Sequence, residues 1–366
     1  MTAIQLHPCG PACPPACGTA APRRDERHPH TIDLHCHALV PAVEALVEGA
    51  AERQVEAAAL AESMGEASMT HNRETMLPHA GPRLVDVALR LREMDAMGVD
   101  VQVLSPSPAQ YYYWAGAELA EEVVRQQNEA IAAMCAEHPA RFLGLGTVAL
   151  QHPELALAQL EHGVKRLGLR GVEISTHIDG MELSDARLER FWAKVEALGC
   201  VVFVHPFGAN LGSRLQQHYL SNLIGQPLET TIALSHLIFG GVLDRHPALR
   251  ILAAHGGGYL PTYAGRSDHG YKVRPEAGAI ARKPSDYLRQ IWIDSLVYSP
   301  QAVRWLIDQV GIGQVVVGTD YPFDMGSDDV HGLVAAIPGL NDDDRARILG
   351  GNAAQLLGLV PETSPR

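Results

Sequence analysis

Two histidines stand one residue apart where an apolar run ends, in the stretch "TIDLHCHALVP". In a β-strand, residues i and i+2 point to the same side, so His35 and His37 face together while Cys36 faces away. Buried imidazoles without polar partners are costly, and a divalent metal ion is a suitable partner because imidazole nitrogen is a favoured zinc ligand. For this pair alone, core histidines satisfied by backbone carbonyls explain the pattern equally well.

Three more polar residues end apolar runs in the same way. His205 closes "VVFVHP", His255 closes "ILAAHGGG", and Asp320 closes "VVVGTDYP". Chance would scatter the 18 histidines of the chain over helices and loops. Their shared position at strand ends therefore predicts a metal site, with buried structural histidines as the alternative.

The distribution of lysines limits the kind of metal site. Lys165 and Lys194 lie in predicted helices, and Lys272 and Lys283 follow the sixth predicted strand. A two-metal site would place a carboxylated, bridging lysine on a strand, and none of the predicted strands carries one. We therefore expect one metal ion. The same distribution disfavours a pyridoxal-phosphate enzyme, which needs a lysine for its Schiff base.

Short, nearly continuous apolar runs predict eight strands, at 30–36, 99–105, 142–148, 171–176, 201–205, 250–255, 291–297 and 315–320. Such runs are typical of parallel strands that are covered on both faces. Amphipathic stretches between them predict helices, among them 117–137, 154–167, 185–199 and 300–310. Eight alternating units predict the α/β class and a (β/α)₈ TIM barrel. A doubly wound sheet is the competitor, but it usually carries a glycine-rich nucleotide motif after its first strand.

The chain is expected to form one domain. Residues 1–30 are predicted to be a flexible leader rich in proline and cysteine, residues 31–360 the barrel, and residues 361–366 a tail. The stretch 41–80 predicts a small helical insertion after the first strand. Segment 206–235 is expected to be a long loop at the end of the barrel where active sites form.

Composition indicates a globular protein, because 46% of residues are hydrophobic and 19% are charged. The net charge of −13 argues against nucleic-acid and membrane partners. No apolar run is long enough to span a bilayer, and no secretory signal is evident, so we expect a cytoplasmic protein. Cys9, Cys13 and Cys17 have a spacing that could bind a metal, but their proline-rich surroundings favour a flexible leader.

A local cationic cluster follows the sixth predicted strand. Segment 256–290 is expected to be a loop, and its stretch "YAGRSDHGYKVRP" brings together Arg266, His269, Lys272 and Arg274. In an acidic protein such a cluster suits a small dicarboxylate, and arginine binds carboxylates with two hydrogen bonds. A solvated loop or a subunit contact is the alternative.

Four motifs resemble those of the amidohydrolase-related decarboxylases: "DLHCH", "FVHPFG", "AHGGGYLPTYAGRSDHGYKVRP" and "GTDYPF". The resemblance extends from the first strand to "GGNAAQLLGL". It implies that His35, His37, His205 and Asp320 bind one divalent metal ion, usually zinc, with manganese or iron also compatible with these ligands. It further implies that His255 is the acid/base that deprotonates the metal's water, and Asp320 could also relay a proton.

The same resemblance implies a substrate site for a small carboxylate. Arg266 would bind the carboxylate, reaching into the neighbouring subunit of a homodimer. Phe207 stands where the family commonly has tryptophan. The family's second carboxylate-binding arginine lies in the insertion, where Arg73 and Arg83 are candidates, and His177 is a further candidate for substrate contact. Some relatives that act on hydroxybenzoates have glutamate in place of the first histidine, so this chain is nearer to the muconate-semialdehyde type.

The expected reaction is decarboxylation of a small unsaturated or aromatic acid. Loss of CO₂ leaves electrons on carbon, and without a pyridoxal or thiamine signature the conjugation of the substrate must accept them. A hydrolase of a lactone or amide is the chief alternative, because the same metal-activated water can attack a carbonyl. A hydratase of an unsaturated dicarboxylate is a further alternative.

Overall fold

The structure, a computed structural model, describes residues 30–209 and 211–359. The leader with its three cysteines and the tail 361–366 lie outside the described residues. Within the two described ranges, ten strands follow one another: β1 Ile32–Ala38, β2 Val101–Pro106, β3 Phe142–Gly144, β4 Gly171–Ile174, β5 His177–Ile178, β6 Met181–Glu182, β7 Val201–Val204, β8 Arg250–Ala253, β9 Ile291–Asp294 and β10 Val315–Val316. Strands β5 and β6 form a small antiparallel hairpin, and the other eight are parallel.

The eight parallel strands close into a barrel. Hydrogen bonds link β1, β2 and β3 in one run and β4, β7, β8, β9 and β10 in another. Bridges from Asp33 to Val317 and from Cys36 to Tyr321 join β1 to the β10 segment, and a bridge from Gly146 to Val172 joins the other two edges. The expected (β/α)₈ barrel is therefore confirmed.

Side chains alternate between the inside and the outside of the barrel. Along β7, Val201 and Phe203 belong to an inner cluster, while Val202 and Val204 belong to the larger core between strands and helices. The inner cluster also contains Ala353 and Leu356 of the last helix, α16 (Asn352–Leu356). The interior is thus a packed core, as in other barrels of this class.

The described part of the chain contains sixteen α-helices: α1 Pro41–Val47, α2 Ala51–Met64, α3 Glu66–His71, α4 Leu77–Val85, α5 Val87–Met97, α6 Ala117–Glu137, α7 Pro153–Lys165, α8 Glu189–Leu198, α9 Gln226–Phe239, α10 Val242–Arg245, α11 Leu260–Val273, α12 Pro284–Tyr287, α13 Pro300–Val310, α14 Val330–Ala335, α15 Asp342–Ala346 and α16. None of those within the described part of the chain is long and apolar enough to cross a bilayer. The four helices predicted between strands are present, with bounds close to those expected.

The predicted loop over 256–290 is wrong in its central part, which forms α11. The proline and glycines of "YLPTYAGRSDHGY" indicated a loop. Pro261 stands at the first turn of the helix, where its missing N–H costs nothing. A Cβ at Gly265 or Gly270 would meet nothing within 4 Å, so these glycines are not required by a turn. The predicted loop over 206–235 likewise ends in α9.

The predicted insertion after β1 comprises α1 to α4 and extends to Val85. It packs against loops that follow the barrel strands. Ser63 Oγ donates to the carbonyl of Ala209 at 3.0 Å, and a Cβ at Gly65 would lie 2.2 Å from the carbonyl oxygen of Gln216. On another side, Nε2 of His71 lies 3.1 Å from Oδ2 of Asp324. The insertion therefore lies over the end of the barrel where strands β7 and β10 end.

The turn after β8 holds four successive residues with positive φ. The φ angles are 55° at His255, 63° at Gly256, 74° at Gly257 and 64° at Gly258. Residues other than glycine rarely adopt this conformation. A Cβ at Gly258 would lie 2.1 Å from the carbonyl oxygen of Pro227. The glycines thus allow the chain to turn directly behind His255.

We predict that Gly258→Ala destabilises the protein by about 2 kcal/mol or more, because the methyl group meets both an unfavourable φ and a fixed carbonyl. The matched control is Gly265→Ala in α11, where the added Cβ meets open space and helix propensity favours alanine by about 0.5–1 kcal/mol. Denaturant unfolding of both variants measures the difference. Equal stabilities would contradict the role of the turn.

Candidate metal centre and active site

Four side chains from three distant parts of the sequence meet at the ends of β1, β7 and β10. One ligand atom from each of four residues lies within 4.8 Å of the others, and all four residues are buried: His35, His37, His205 and Asp320. The structure therefore brings together the expected ligand set, and this group could hold one metal ion.

Strand geometry sets the two histidines of β1. Their rings face the same interior space with centroids 5.2 Å apart, whereas Cys36 belongs to the outer core and its thiol donates to the carbonyl of Val103. The ring of His205, directly after β7, has its centroid 4.9 Å from that of His35 and 4.8 Å from that of His37. The alternation expected along β1 is thus what the structure shows.

Asp320 is positioned by the backbone of β1. Its N–H donates to the carbonyl of His35 at 2.7 Å, and its φ of 55° turns the chain out of the barrel. Oδ1 of Asp320 lies 3.4 Å from Nε2 of both His35 and His37. One carboxylate oxygen thus faces two ring nitrogens.

A bound metal ion explains the arrangement of the ring nitrogens in this group better than hydrogen bonds among the rings do. Within the described residues, Nε2 of His35, Nε2 of His37 and both nitrogens of His205 are buried without a hydrogen-bond partner. Unsatisfied buried polar atoms are rare in folded proteins and call for an explanation. A cation bound by three imidazoles and a carboxylate satisfies one such nitrogen of each ring.

Buried carboxylates stand behind the two histidines of β1. Oδ2 of Asp294 lies 2.7 Å from Nδ1 of His35. Oε2 of Glu173 lies 3.5 Å from Nδ1 of His37, and Glu173 also accepts hydrogen bonds from the hydroxyls of Ser105 and Tyr111. Such partners orient metal-binding histidines and make their free nitrogens better ligands.

When no metal is bound, burial and the charges of neighbouring residues together set the pKa values of the group. Burial lowers the pKa of His35, but the carboxylates of Asp320 and Asp294 outweigh burial and raise it to about 10. Burial alone would raise the pKa of Asp320, yet His35 and His37 outweigh it and hold that pKa well below its usual range. Burial, followed by the charges of His37 and His35, lowers the pKa of His205 well below its usual value.

His255 lies beside the group. Its ring centroid is 5.2 Å from those of His35 and His205, and its Nδ1 is buried without a hydrogen-bond partner. Burial, followed by the charge of His35, lowers its pKa. A neutral imidazole next to a metal site has the position and the protonation state of a general base.

The five candidate substrate-binding residues are spread over the barrel end and its surroundings. Phe207 is half-buried, with its ring edge-on to Tyr111, and His177 in β5 has an Nδ1 that is buried without a partner. Arg73 is exposed and pairs with Glu74.

The other two candidates lie on helices outside the barrel. Arg83 forms an ion pair with Glu93 at 2.8 Å, at a cavity of about 210 Å³ that Tyr321 and Phe323 also line. Arg266 is exposed on α11 and forms no ion pair with any residue in the described ranges.

Three residues that support the group were not singled out from the sequence. Asp294 ends an apolar run in "IWIDSLV", which is the same signal that identified His205. Glu173 is a charged residue inside the buried strand β4, and such a residue almost always has a partner. Arg90 is buried in α5, where its guanidinium donates to the carbonyl of His37 and lies 4.7 Å from the ring centre of Tyr321. No local pattern identifies Arg90.

Comparison with known proteins places these features in a family. A family model described as "Amidohydrolase" matches residues 32–359. The 2-amino-3-carboxymuconate-6-semialdehyde decarboxylase of Dictyostelium discoideum is 37% identical over 278 residues, which cover 75% of this chain and 77% of that protein. The resemblance inferred from the motifs is therefore confirmed.

Solved structures of decarboxylases share the fold. The 5-carboxyvanillate decarboxylase of Sphingomonas paucimobilis has a TM-score of 0.79 and 26% identity, covering 90% of this chain and 99% of that one. A dihydroxybenzoic acid decarboxylase from a Polaromonas species, solved with bound manganese and 2-nitroresorcinol, has a TM-score of 0.76 and 25% identity, covering 91% and 98%.

We predict that metal binding displaces a proton from His35, because its pKa of about 10 keeps it charged in the metal-free protein. Apparent affinity for Mn²⁺ should then rise about tenfold per pH unit between about pH 6.5 and 8.5. Titration of metal-free protein, with free Mn²⁺ followed by electron paramagnetic resonance, measures this slope. His35→Gln should bind more weakly and with a flatter slope, whereas a pH-independent wild-type affinity would contradict the prediction.

The same ionisation has a consequence for metal-free stability. Folding raises the pKa of His35 from about 6.5 in the unfolded chain to about 10, so protonated His35 stabilises the folded state. This stabilisation is fully present below about pH 6.5 and is lost as the pH rises through about 10. The metal-free protein should therefore lose stability between these limits.

Proposed function

The chain belongs to the amidohydrolase family, and from that premise we propose that it is a mononuclear metal-dependent carboxy-lyase that releases CO₂ from a small unsaturated or aromatic carboxylic acid. The observation that carries this proposal is the buried group of three imidazoles and one carboxylate, with a fourth histidine beside it. The expected reaction class agrees with the decarboxylases that the chain resembles.

We propose that His35, His37, His205 and Asp320 bind the metal ion. When bound, a divalent ion there supplies Lewis-acid chemistry, which acidifies water and stabilises negative charge on a substrate oxygen. Zinc suits three imidazoles and a carboxylate, and manganese is the ion in a neighbouring structure. Zinc therefore stays the first expectation and manganese the second.

His255 is the proposed acid/base. In decarboxylation the electron pair of the bond to the carboxylate moves into the conjugated system of the substrate, and CO₂ leaves. A proton must then be added to the carbon that lost the carboxylate. His255, which is neutral at rest, takes this proton from a water molecule in the site, leaving hydroxide there, and delivers it to that carbon. Its partly buried position limits the access of bulk water.

A hydrolase using the same residues is the second candidate. It would direct activated water at a lactone or amide carbonyl. The named relatives and structural neighbours of this chain favour loss of CO₂. The proposed location in the cytoplasm rests on composition alone.

The direct test is CO₂ release by the metal-loaded protein from three acids: 2-amino-3-carboxymuconate-6-semialdehyde, 2,6-dihydroxybenzoate and 5-carboxyvanillate. We predict turnover of at least one, dependent on metal and abolished by chelation. His35 favours the first acid, because the family resemblance implies glutamate at that position in some relatives that act on hydroxybenzoates. Hydrolysis of a lactone or amide panel without CO₂ release would establish the second candidate instead.

We predict that His255→Asn lowers kcat by about 10³-fold while metal content stays at the wild-type level, because the variant loses the proton donor and keeps the ligands. His162→Asn, at an exposed position of α7, is the matched control and should retain wild-type kcat. Steady-state CO₂ release and elemental analysis provide the two measurements. A His255→Asn enzyme with more than about half of the wild-type kcat would refute the assignment.

We propose that the protein is a homodimer in which Arg266 binds the substrate carboxylate at the neighbouring site. Arg266 is exposed on α11, together with Tyr263, whose exposed fraction is 62%. The segment 221–225, directly before α9, exposes Leu223 and Ile224. A hydrogen bond from the hydroxyl of Tyr259, the residue before α11, to the carbonyl of Leu223 links this segment to the start of α11. An exposed apolar surface around an unpaired arginine is typical of an interface.

We predict that Arg266→Ala raises KM about tenfold or more with a smaller change in kcat, because it removes a contact to the substrate carboxylate. Arg190→Ala, at an exposed position of α8 where Arg190 pairs with Glu154, is the control and should keep the wild-type KM. Co-expression of Arg266→Ala with His255→Asn, measured at substrate concentrations well below KM, should give about a quarter of the wild-type kcat/KM, since half of the dimers then contain one complete site. No recovery in a proven mixed dimer would contradict sharing of the site.

A further inference from the structure

Asp294, the last residue of β9, is fully buried and accepts four hydrogen bonds. Its Oδ2 accepts from Nδ1 of His35 at 2.7 Å and from the backbone N–H of His255 at 2.9 Å. Its Oδ1 accepts from the backbone N–H of Gly256 at 2.8 Å and from that of Leu296 at 3.1 Å. One carboxylate thus contacts a proposed metal ligand and the turn that carries the proposed acid/base.

The contact to His35 determines which nitrogen is free to bind metal. An ionised carboxylate only accepts hydrogen bonds, so the ring must present Nδ1–H to it. In the neutral imidazole, Nε2 then carries the lone pair. Nε2 is the atom that faces Asp320 at 3.4 Å. Asp294 therefore selects the tautomer that can bind the ion.

The contacts to the turn hold an unfavourable backbone conformation. His255 has a φ of 55°, a conformation that residues other than glycine rarely adopt. Two successive N–H groups of this turn donate to Asp294, one to each oxygen. These bonds fix the direction in which the ring of His255 leaves the backbone.

The other two histidines of the metal centre lack an equivalent contact. Among the described residues, Nδ1 of His37 has only longer contacts: 3.3 Å to the hydroxyl of Ser105, 3.4 Å to the carbonyl of Pro106 and 3.5 Å to Glu173. His205 has no hydrogen-bond partner for either nitrogen among the described residues. Short hydrogen bonds to one shared carboxylate, that of Asp294, thus distinguish His35 and His255.

We propose that Asp294 is a positioning residue that fixes the metal-binding tautomer of His35 and, through the same carboxylate, the place of His255 beside the metal centre. This inference rests on the metal centre and the acid/base proposed above. Asp294 would therefore affect both the affinity for metal, through His35, and the delivery of the proton, through His255.

The test uses Asp294→Asn. An amide offers one oxygen and one NH₂ group, and the four donors around Asp294 need two acceptors. If the amide oxygen takes the place of Oδ1, the NH₂ group takes the place of Oδ2 and faces both Nδ1 of His35 and the N–H of His255. It then favours the tautomer of His35 with hydrogen on Nε2, which cannot bind metal through that atom. We expect the affinity for Mn²⁺ at fixed pH to fall by about 10- to 100-fold. At saturating metal, kcat should fall about tenfold or more while KM changes less than about threefold.

The matched control is Asp33→Asn. Asp33 is also fully buried and accepts from the backbone N–H of His35 and Thr319 and from the side chains of Gln102 and Thr319, but from no imidazole ring. The Asp33→Asn variant should be less stable than the wild-type protein, because it replaces a buried carboxylate. Its affinity for Mn²⁺ should stay within about threefold of the wild-type value. Equal losses of affinity in both variants would show a merely structural role and overturn the proposal.

A second measurement requires no variant of Asp294. In the wild-type protein with ¹⁵N-labelled histidine, the resonance of His35 is identified by its loss in His35→Gln. We expect a protonated Nδ1 in a strong hydrogen bond and an Nε2 that shifts on adding metal. A His35 that binds metal through Nδ1 would overturn the proposal even if Asp294→Asn does not fold.

The outcomes separate this inference from the proposed function. If the wild-type protein binds no metal at the four ligands, the proposed metal centre fails. If it binds metal with Nδ1 of His35 protonated, and Asp294→Asn binds as tightly with unchanged kcat, the metal centre stands and the role of Asp294 is refuted.

Discussion

The pairing of the first barrel strand with the last is the contact on which the site depends. The N–H of Leu34 donates to Val317, and the N–H of Asp320 donates back to His35, nearly three hundred residues earlier in the chain. These bonds bring the two histidines of β1 next to the aspartate that follows β10. Without closure of the barrel, the ligands would lie on opposite edges of an open sheet and no common ion could reach them.

Closure also concentrates charge in the buried end of the barrel. Three imidazoles and a carboxylate meet in the interior, and the carboxylates of Asp294 and Glu173 stand directly behind them. Burial raises the free energy of each of these charged groups, so each is stable only next to an oppositely charged or hydrogen-bonding partner. The metal-free group achieves this by protonating His35 between Asp320 and Asp294. A divalent ion would replace that proton and satisfy the remaining ring nitrogens.

The residues that do chemistry were predictable because strand ends carry a simple signal. A polar residue that terminates a buried apolar run has to face the barrel end, which is why His35, His205 and Asp320 could be grouped without a structure. The same rule would have found Asp294, whose carboxylate ends β9. Arg90 is different: it lies on a helix, and only the three-dimensional path of the chain brings its guanidinium to the carbonyl of His37.

The chain outside the barrel was harder to predict. Segment 256–290 was expected to be a loop because of its glycines and proline, yet most of these residues fit the start and the exposed face of α11. Substrate contacts depend on side-chain direction and, in the proposed dimer, on a second subunit, and neither follows from local sequence. The roles of Arg73, Arg83, Phe207 and His177 therefore stay predictions, as do the leader and the extent of the single domain.

The central claim is that four side chains share one ion at the end of the barrel. A crystal structure of the metal-loaded protein, with anomalous diffraction recorded at the absorption edge of the metal, tests it most directly. The account predicts one peak about 2.0–2.3 Å from a nitrogen of each of His35, His37 and His205 and from an oxygen of Asp320. A second ion of equal occupancy beside the first, or a single ion bound elsewhere with these four residues left unligated, would contradict it.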